Sequence, residues 1–111
     1  MIACVDDAIG RVLRALKATG RDGETVVMFT SDHGDHLGDH RLMLKGAEQY
    51  QSIVRVPFIW SDPEKPNQPA RTNALASTID IGATILDRAK IEPFSGMQAK
   101  SLLPVLDGKP V

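Results

Sequence analysis

An acidic residue and a histidine stand side by side at the end of an apolar run. The apolar run covers 26–29, Thr30 and Ser31 follow it, and Asp32 and His33 come next, directly before Gly34. A carboxylate and an imidazole are both ligands for divalent cations. Lys45 lies thirteen residues after Asp32, at the end of a loop rich in Gly and charged residues. A strand, a ligand pair, a loop and a cation in this order are typical of a metal and anion site at the carboxyl edge of an α/β sheet.

The hydrophobic pattern predicts the elements that position these residues. Apolar residues at helical spacing predict a first helix from about 2 to 19. Residues 25–31 are β-branched and aromatic and are apolar on both faces, which predicts a strand in the interior of a sheet. A second strand is predicted over 54–60. Further helical segments are predicted over 46–53, 80–89 and 101–106, and loops over 61–71 and 91–99. Helices and strands in this alternation indicate the α/β class.

Length and composition bound the possible functions. The 111 residues are enough for one domain, and the apolar fraction of 42% is ordinary for a globular protein. The net charge of −1 gives no indication of a nucleic-acid partner or an acidic membrane partner. The chain has no apolar run long enough to span a bilayer and no signal peptide pattern at its start, so the compartment stays open. The single cysteine rules out an internal disulfide.

Two features predict that this chain is a piece of a larger protein. The first helical pattern is already running at Met1, with no Ser, Thr, Asp or Asn before it to act as a cap. Two strands are also too few to bury a strand that is apolar on both faces. We therefore expect an upstream segment in the parent protein, with an internal Met at the start of this chain.

The residues around the ligand pair resemble a known family in type and order. The segments that carry the likeness are 30–34, 37–40, Lys45 and 55–59, together with the upstream helix and the tail over 78–87 and 101–108. This pattern resembles the second half of the sulfatases and phosphonate monoester hydrolases of the alkaline-phosphatase-like superfamily. The resemblance covers nearly the whole chain. It implies that residues 1–111 form a single domain, which is the C-terminal fragment of a sulfatase-type catalytic domain.

The resemblance also implies a fold and roles for named residues. The fold is part of an alkaline-phosphatase-like sandwich, in which helices pack on a mixed and incomplete sheet. Asp32 and His33 are the implied ligands of a divalent metal, either Ca²⁺, Mg²⁺ or Mn²⁺. Lys45 is implied to bind the substrate and to offset charge in catalysis, His40 is a second catalytic candidate, and Arg55 is a candidate for substrate binding. The implied substrate is a sulfate or phosphonate ester, either a small molecule or a glycan.

The nucleophile of the family is absent from the 111 residues. In this family a formylglycine is made from the Cys of a Cys-x-Pro-x-Arg-type motif, whereas Cys4 is followed by Val-Asp-Asp-Ala. In the family, that motif and two further metal carboxylates precede the region matched here. We therefore expect a metal- and anion-binding segment of an ester hydrolase that has no turnover by itself.

Other interpretations of the same residues remain open. The chain could be a non-catalytic structural or interaction module derived from a sulfatase. His33, His36 and His40 could form a zinc-like cluster, although loop histidines beside acids are more commonly hydrogen-bonding groups on the surface. Arg55 could pair with a carboxylate such as Glu48 or Asp62. An exposed strand edge would favour self-association, which makes a homodimer a hypothesis.

Overall fold

A computed structural model of the chain describes residues 1–65 and 71–109. These residues divide into two compact units, one formed by 1–65 and the other by 71–109. The ligand pair and Lys45 belong to the first unit. Within the described ranges, no helix combines the length and the apolar character that a membrane crossing would need.

The first unit begins with helix α1 over Ile2–Ala18. The helix ends where the hydroxyl of Thr19 donates to the carbonyl of Leu16 at 2.8 Å. Gly20 then takes a positive φ of 70°, a conformation that glycine adopts without a steric penalty. The hydrophobic spacing therefore predicted the bounds of this helix to within one residue.

Two short strands follow and pair with each other. Strand β1 spans Val27–Thr30 and strand β2 spans Phe58–Ser61. They are antiparallel, and Val27 pairs with Ser61 at one end of the ladder while Thr30 pairs with Phe58 at the other. Strand β2 begins only after Pro57, because proline has no backbone N–H to donate to a ladder. The sequence predicts that β1 lies in the interior of a mixed sheet. Within the described residues β1 pairs on one side only, with the antiparallel strand β2.

An apolar groove of about 720 Å³ lies between α1 and the two strands. Its apolar lining is Met1, Ile2, Val5, Ile9, Leu13, Val27, Phe29 and Ile59. Most of these side chains remain accessible, as Val5 at 51% and Ile59 at 58% illustrate. The apolar stripe of α1 thus faces one side of the sheet across open space.

The long connection between the strands carries the loop of interest and a short helix. Helix α2 covers Gln51–Val54, so it overlaps only the last three residues of the helix predicted over 46–53 and extends one residue beyond it. Before it, the loop that starts at Asp32 includes a single 3₁₀ turn over Asp39–Arg41. One residue of α2, Ile53, is buried.

The second unit contains helices α3, Asp80–Arg88, and α4, Leu103–Leu106. Polar side chains of α3 bind the backbone that leads into α4. The carboxylate of Asp80 accepts hydrogen bonds from the backbone N–H groups of Ser77 at 3.1 Å and Lys100 at 2.9 Å. One turn later, the fully buried hydroxyl of Thr84 accepts from the backbone N–H of Leu102 at 2.9 Å. The bond from Leu102 satisfies a buried backbone donor, and the bonds from Lys100 and Leu102 tie the segment that leads into α4 to α3.

Candidate functional site

Asp32 and His33 lie in the turn that immediately follows β1. The backbone N–H of His33 donates to Oδ1 of Asp32 at 2.9 Å, and the hydroxyl of Ser31 donates to the carbonyl of His33 at 2.8 Å. These local bonds direct the chain out of the strand and fix the turn. The side chain of Asp32 is 85% exposed and that of His33 is 35% exposed, so an incoming ion can reach both.

The two nitrogens of the His33 ring have different partners. Nδ1 lies 2.7 Å from the carbonyl oxygen of Gly34, and because a carbonyl only accepts, Nδ1 must carry the hydrogen of that bond. In the neutral ring, Nε2 then presents its lone pair. Nε2 lies 3.5 Å from Oδ2 of Asp32. A carboxylate oxygen and an imidazole nitrogen therefore converge, with the second ring nitrogen held by a backbone carbonyl, as is common for histidine ligands of metals.

Lys45 reaches the same point from the far end of the loop. Its Nζ lies 2.7 Å from Nε2 of His33, where the ammonium donates to the ring lone pair. The backbone thus brings together three residues that the sequence predicted to share one site: Asp32, His33 and Lys45. This arrangement places a cation beside two potential metal ligands. Such a site would suit a tetrahedral anion if a metal ion were bound there.

The carboxyl group of Asp32 is held in its charged form. The hydrogen bond from the backbone N–H of His33 lowers the pKa of Asp32 below its ordinary value of 3.8, and the His33 ring when protonated and the Lys45 ammonium act in the same direction. A lowered pKa favours ionisation in the folded chain. The contribution of this carboxylate to the stability of the fold is present at pH values above the ordinary pKa, and it is lost as the pH falls through the lowered pKa. Asp32 is therefore a carboxylate at neutral pH.

Gly34 joins the ligand pair to helix α2. Its backbone N–H donates to the carbonyl oxygen of Ile53 at 2.8 Å. A Cβ at this position would overlap the carbonyl oxygen of Ser52. Residue 34 must therefore be glycine for the turn to approach α2 this closely.

His36 was predicted to be a surface histidine, and this prediction is wrong. The residue is only 3% exposed, because its ring lies against Ser52 and Tyr50. Its Nδ1 is 3.1 Å from the hydroxyl oxygen of Ser52, and its ring meets the Tyr50 ring edge-on at 5.7 Å. The backbone N–H of His36 also donates to the carbonyl of Leu44, the residue directly before Lys45. Sixteen positions separate His36 from Ser52, so no local pattern indicates this contact.

The loop between the ligand pair and Lys45 has an unusual backbone. Four of its non-glycine residues adopt positive φ angles, a conformation that costs of order 1 kcal/mol or more for each such residue. They are Leu37, His40, Arg41 and Leu44. Such a backbone persists only where surrounding contacts determine it, and in this loop these contacts include the hydrogen bond between His36 and Leu44.

His40 and Arg55 have other surroundings. The ring of His40 stacks on Tyr50 with 4.1 Å between centroids, and its Nε2 lies 3.8 Å from Oδ2 of Asp39. These partners lie outside the group of Asp32, His33 and Lys45. Arg55 is exposed and enters none of the ion pairs found among the described residues. The catalytic role of His40 and the substrate-binding role of Arg55 stay predictions.

Asp32 and His33 would supply only part of a metal coordination shell. Among residues 1–65 and 71–109, no group of three or more His, Cys, Asp or Glu side chains is arranged to hold a metal ion. The cluster of three histidines considered from the sequence is therefore not formed in these ranges. Asp32 and His33 offer one hard oxygen and one imidazole nitrogen, a donor pair that fits Mg²⁺ or Mn²⁺ as two of several ligands.

Comparison with known proteins identifies the family. A family model described as Sulfatase matches residues 1–91. The chain belongs to the sulfatase family. This sulfatase chain is 37% identical over 107 residues to the uncharacterized sulfatase YidJ of Escherichia coli K12, a match that covers 96% of the chain and 21% of YidJ.

Solved structures have the same fold as this sulfatase chain. The phosphonate monoester hydrolase of Agrobacterium radiobacter matches 100% of it with a TM-score of 0.90 and 34% identity, over 22% of the hydrolase. A protein solved with its substrate D-glucosamine-2-N,6-O-disulfate matches 99% with a TM-score of 0.89 and 32% identity, over 23% of that protein. The α/β, alkaline-phosphatase-like fold predicted from the sequence is confirmed. The chain spans about a fifth of the length of these relatives.

Proposed function

We propose that this chain is the metal- and anion-binding segment of a hydrolase that acts on sulfuric esters or on phosphonate or phosphate monoesters. One observation carries the proposal. The Nε2 atom of His33 lies 3.5 Å from the carboxylate of Asp32 and 2.7 Å from the ammonium of Lys45, so two metal ligands and one cation meet at one point. Membership of the sulfatase family supports the choice of reaction.

Each residue has a distinct role in this proposal. Asp32 and His33 would hold a divalent metal, which when bound acts as a Lewis acid on the oxygens of the ester group. The carbonyl of Gly34 keeps the hydrogen of His33 on Nδ1, which leaves Nε2 as the ligand atom. Lys45 donates to an oxygen of the ester and offsets the negative charge that develops there.

The substrate is proposed to be a sulfated or phosphonylated small molecule or glycan. A related protein was solved with its substrate D-glucosamine-2-N,6-O-disulfate, and another relative is a phosphonate monoester hydrolase. Both substrate classes present a tetrahedral anionic group, which the metal and Lys45 would hold. Arg55 is proposed to contact this anion, and His40 to act as a further catalytic group, with its ring supported by Tyr50.

The purified 111-residue chain is not expected to hydrolyse esters, since its sequence lacks the Cys-x-Pro-x-Arg-type motif that would supply the nucleophile. Turnover of an aryl sulfate by the pure chain would contradict this part of the proposal. The second candidate function is a non-catalytic interaction module. It predicts that Asp32, His33 and Lys45 bind neither metal nor anion.

Paramagnetic broadening by Mn²⁺ tests the metal role. In an amide-resolved NMR titration, we expect Mn²⁺ to broaden the resonances of residues 32–34 before others. Asp32→Ala should abolish this selective broadening, because half of the donor pair is lost. Asp22→Ala, which removes a carboxylate from the 3₁₀ turn over Asp22–Glu24, should leave the broadening unchanged. Broadening that persists in Asp32→Ala would exclude the metal role of Asp32.

A further inference from the structure

His36 is the most deeply buried histidine of the described chain and has no role in the proposed metal and anion site. The exposed fractions of His33 and His40 are far larger than the 3% of His36. Burial of a polar ring costs free energy unless its atoms find partners. In His36 the Nδ1 atom has a partner, the hydroxyl of Ser52 on helix α2, whereas the buried Nε2 atom has none among the described residues. The ring is therefore anchored to an element outside the loop.

The backbone of His36 connects the two ends of the loop. Its N–H donates to the carbonyl of Leu44 at 3.3 Å, and its carbonyl accepts from the N–H of Asp39 at 2.7 Å. Leu44 directly precedes Lys45, and His36 comes three residues after His33. A residue that is fixed to α2 through its side chain thus also fixes the backbone next to Lys45.

We propose that His36 is a positioning residue that places the ammonium of Lys45 against Nε2 of His33. This role rests on the proposed function, because the position of Lys45 affects anion binding only if Lys45 binds the anion. The ring of His36, held by Ser52 and flanked by Tyr50, keeps the loop closed at Leu44. The closed loop confines Lys45 to the position from which it reaches the site.

Backbone geometry explains why such an anchor is needed. Leu44 has a positive φ of 66°, and three other non-glycine residues of the loop share this strained region. Without a tie to the rest of the fold, these residues would relax to ordinary angles, and Lys45 would move with them. The anchoring contacts of His36 therefore maintain the strained backbone that positions Lys45.

Three variants, with Lys45→Ala as a reference, separate positioning from general support of the fold. His36→Leu keeps a side chain of similar bulk and removes the hydrogen bond to Ser52. Ser52→Ala removes the same bond from the other side, while leaving His36 in place. His36→Asn retains an N–H group near the position of Nδ1 and serves as the conservative rescue. Lys45→Ala marks the effect of losing the ammonium itself.

Two measurements are made on each variant, in addition to the Mn²⁺ titration described above. The ¹⁵N resonance of Nε2 in His33 reports its hydrogen bond with Lys45, and a titration with inorganic sulfate reports anion binding. In His36→Leu and Ser52→Ala we expect the Nε2 resonance to move towards its position in Lys45→Ala. We expect sulfate affinity to fall about ten-fold, the size of one hydrogen bond to a charged group. Selective Mn²⁺ broadening at residues 32–34 should persist in both variants. His36→Asn should return the Nε2 resonance and the sulfate affinity part of the way to their wild-type values.

The outcomes distinguish this inference from the proposed function. Wild-type Nε2 resonance and sulfate affinity in both folded variants would overturn the positioning role. If His36→Leu does not fold, Ser52→Ala decides by the same criterion. If the wild-type chain binds no sulfate, the proposed anion role fails, but the Nε2 resonance still shows whether His36 sets the position of Lys45. Loss of Mn²⁺ broadening together with the Nε2 shift would also overturn the proposal, since it would indicate general collapse of the loop.

Discussion

His33 contributes to the site through two ring nitrogens with separate partners. Nδ1 is held by the carbonyl of Gly34, so Nε2 alone faces Asp32 and Lys45. The ammonium of Lys45 and a divalent metal would therefore compete for the same lone pair. Binding of a metal at Nε2 requires Lys45 to turn away, which frees its N–H groups for an anion.

Replacement of Lys45 by methionine should strengthen metal binding and weaken anion binding. A unit charge about 4 Å away contributes ~1 kcal/mol even in water, so the apparent Mn²⁺ affinity should rise roughly five-fold or more. Titration of Mn²⁺ broadening at residues 32–34 measures this change. Lys17→Met, at the end of α1, is the matched control and should have no effect. An unchanged or lower affinity in Lys45→Met would show that Lys45 and the metal do not share Nε2.

The residue types and their spacing were enough to predict that Asp32, His33 and Lys45 converge, but the same reasoning also included His40, whose ring stacks on Tyr50 instead. Asp32, His33 and Lys45 lie at the end of a strand and at the end of the loop that follows it, and both positions can be recognised in the sequence. The burial of His36 could not be predicted in this way. It depends on Ser52 and Tyr50, which belong to a later segment, and on positive φ angles at non-glycine residues, which the sequence does not indicate.

At the scale of elements, the loop and helix α2 form one packed substructure. Gly34 lies against the backbone of Ser52, and His36 binds the side chain of the same residue. The prediction of a helix over 46–53 placed this element too early, since α2 covers only Gln51–Val54. The helical periodicity of so short a segment is weak, and tertiary contact with the loop determines where it forms.

Gly34→Ala tests the close approach of the loop to α2. The added methyl group would overlap the carbonyl oxygen of Ser52, so the loop and the helix must separate. We expect a loss of about 1–3 kcal/mol in the free energy of unfolding, as for other overpacked sites. Gly23→Ala is the control, because a Cβ there meets no atom within 4 Å. Urea denaturation of both variants measures the difference, and equal stabilities would contradict the packing described.

In the second unit, Thr84 is predicted to protect one particular amide. Thr84→Val keeps the shape of the side chain but leaves the N–H of Leu102 without its acceptor. An unsatisfied buried donor costs about 1–3 kcal/mol. Hydrogen exchange at Leu102 should accelerate accordingly in Thr84→Val. It should stay slow in Thr84→Ser, which retains the hydroxyl; similar exchange in both variants would remove Thr84 as the acceptor.

At the scale of the whole molecule, self-association is the remaining prediction. Strand β1 has one paired edge within the described residues, and an unpaired edge can accept a strand from another chain. Size-exclusion chromatography with light scattering is expected to show a dimer whose population grows with concentration. Val5→Lys, which places a charge in the groove beside β1, should shift the population towards the monomer. A monomer at every concentration would contradict the prediction.

The open groove between α1 and the strands affects how the chain must be handled. Its lining is almost entirely aliphatic and aromatic, and Ile2 and Ile59 within it are well exposed. Surfaces of this kind adhere to phenyl resins, detergents and chaperones. Sulfate and phosphate salts strengthen hydrophobic adsorption. Recovery of the protein during purification will therefore depend on keeping the concentrations of these salts low.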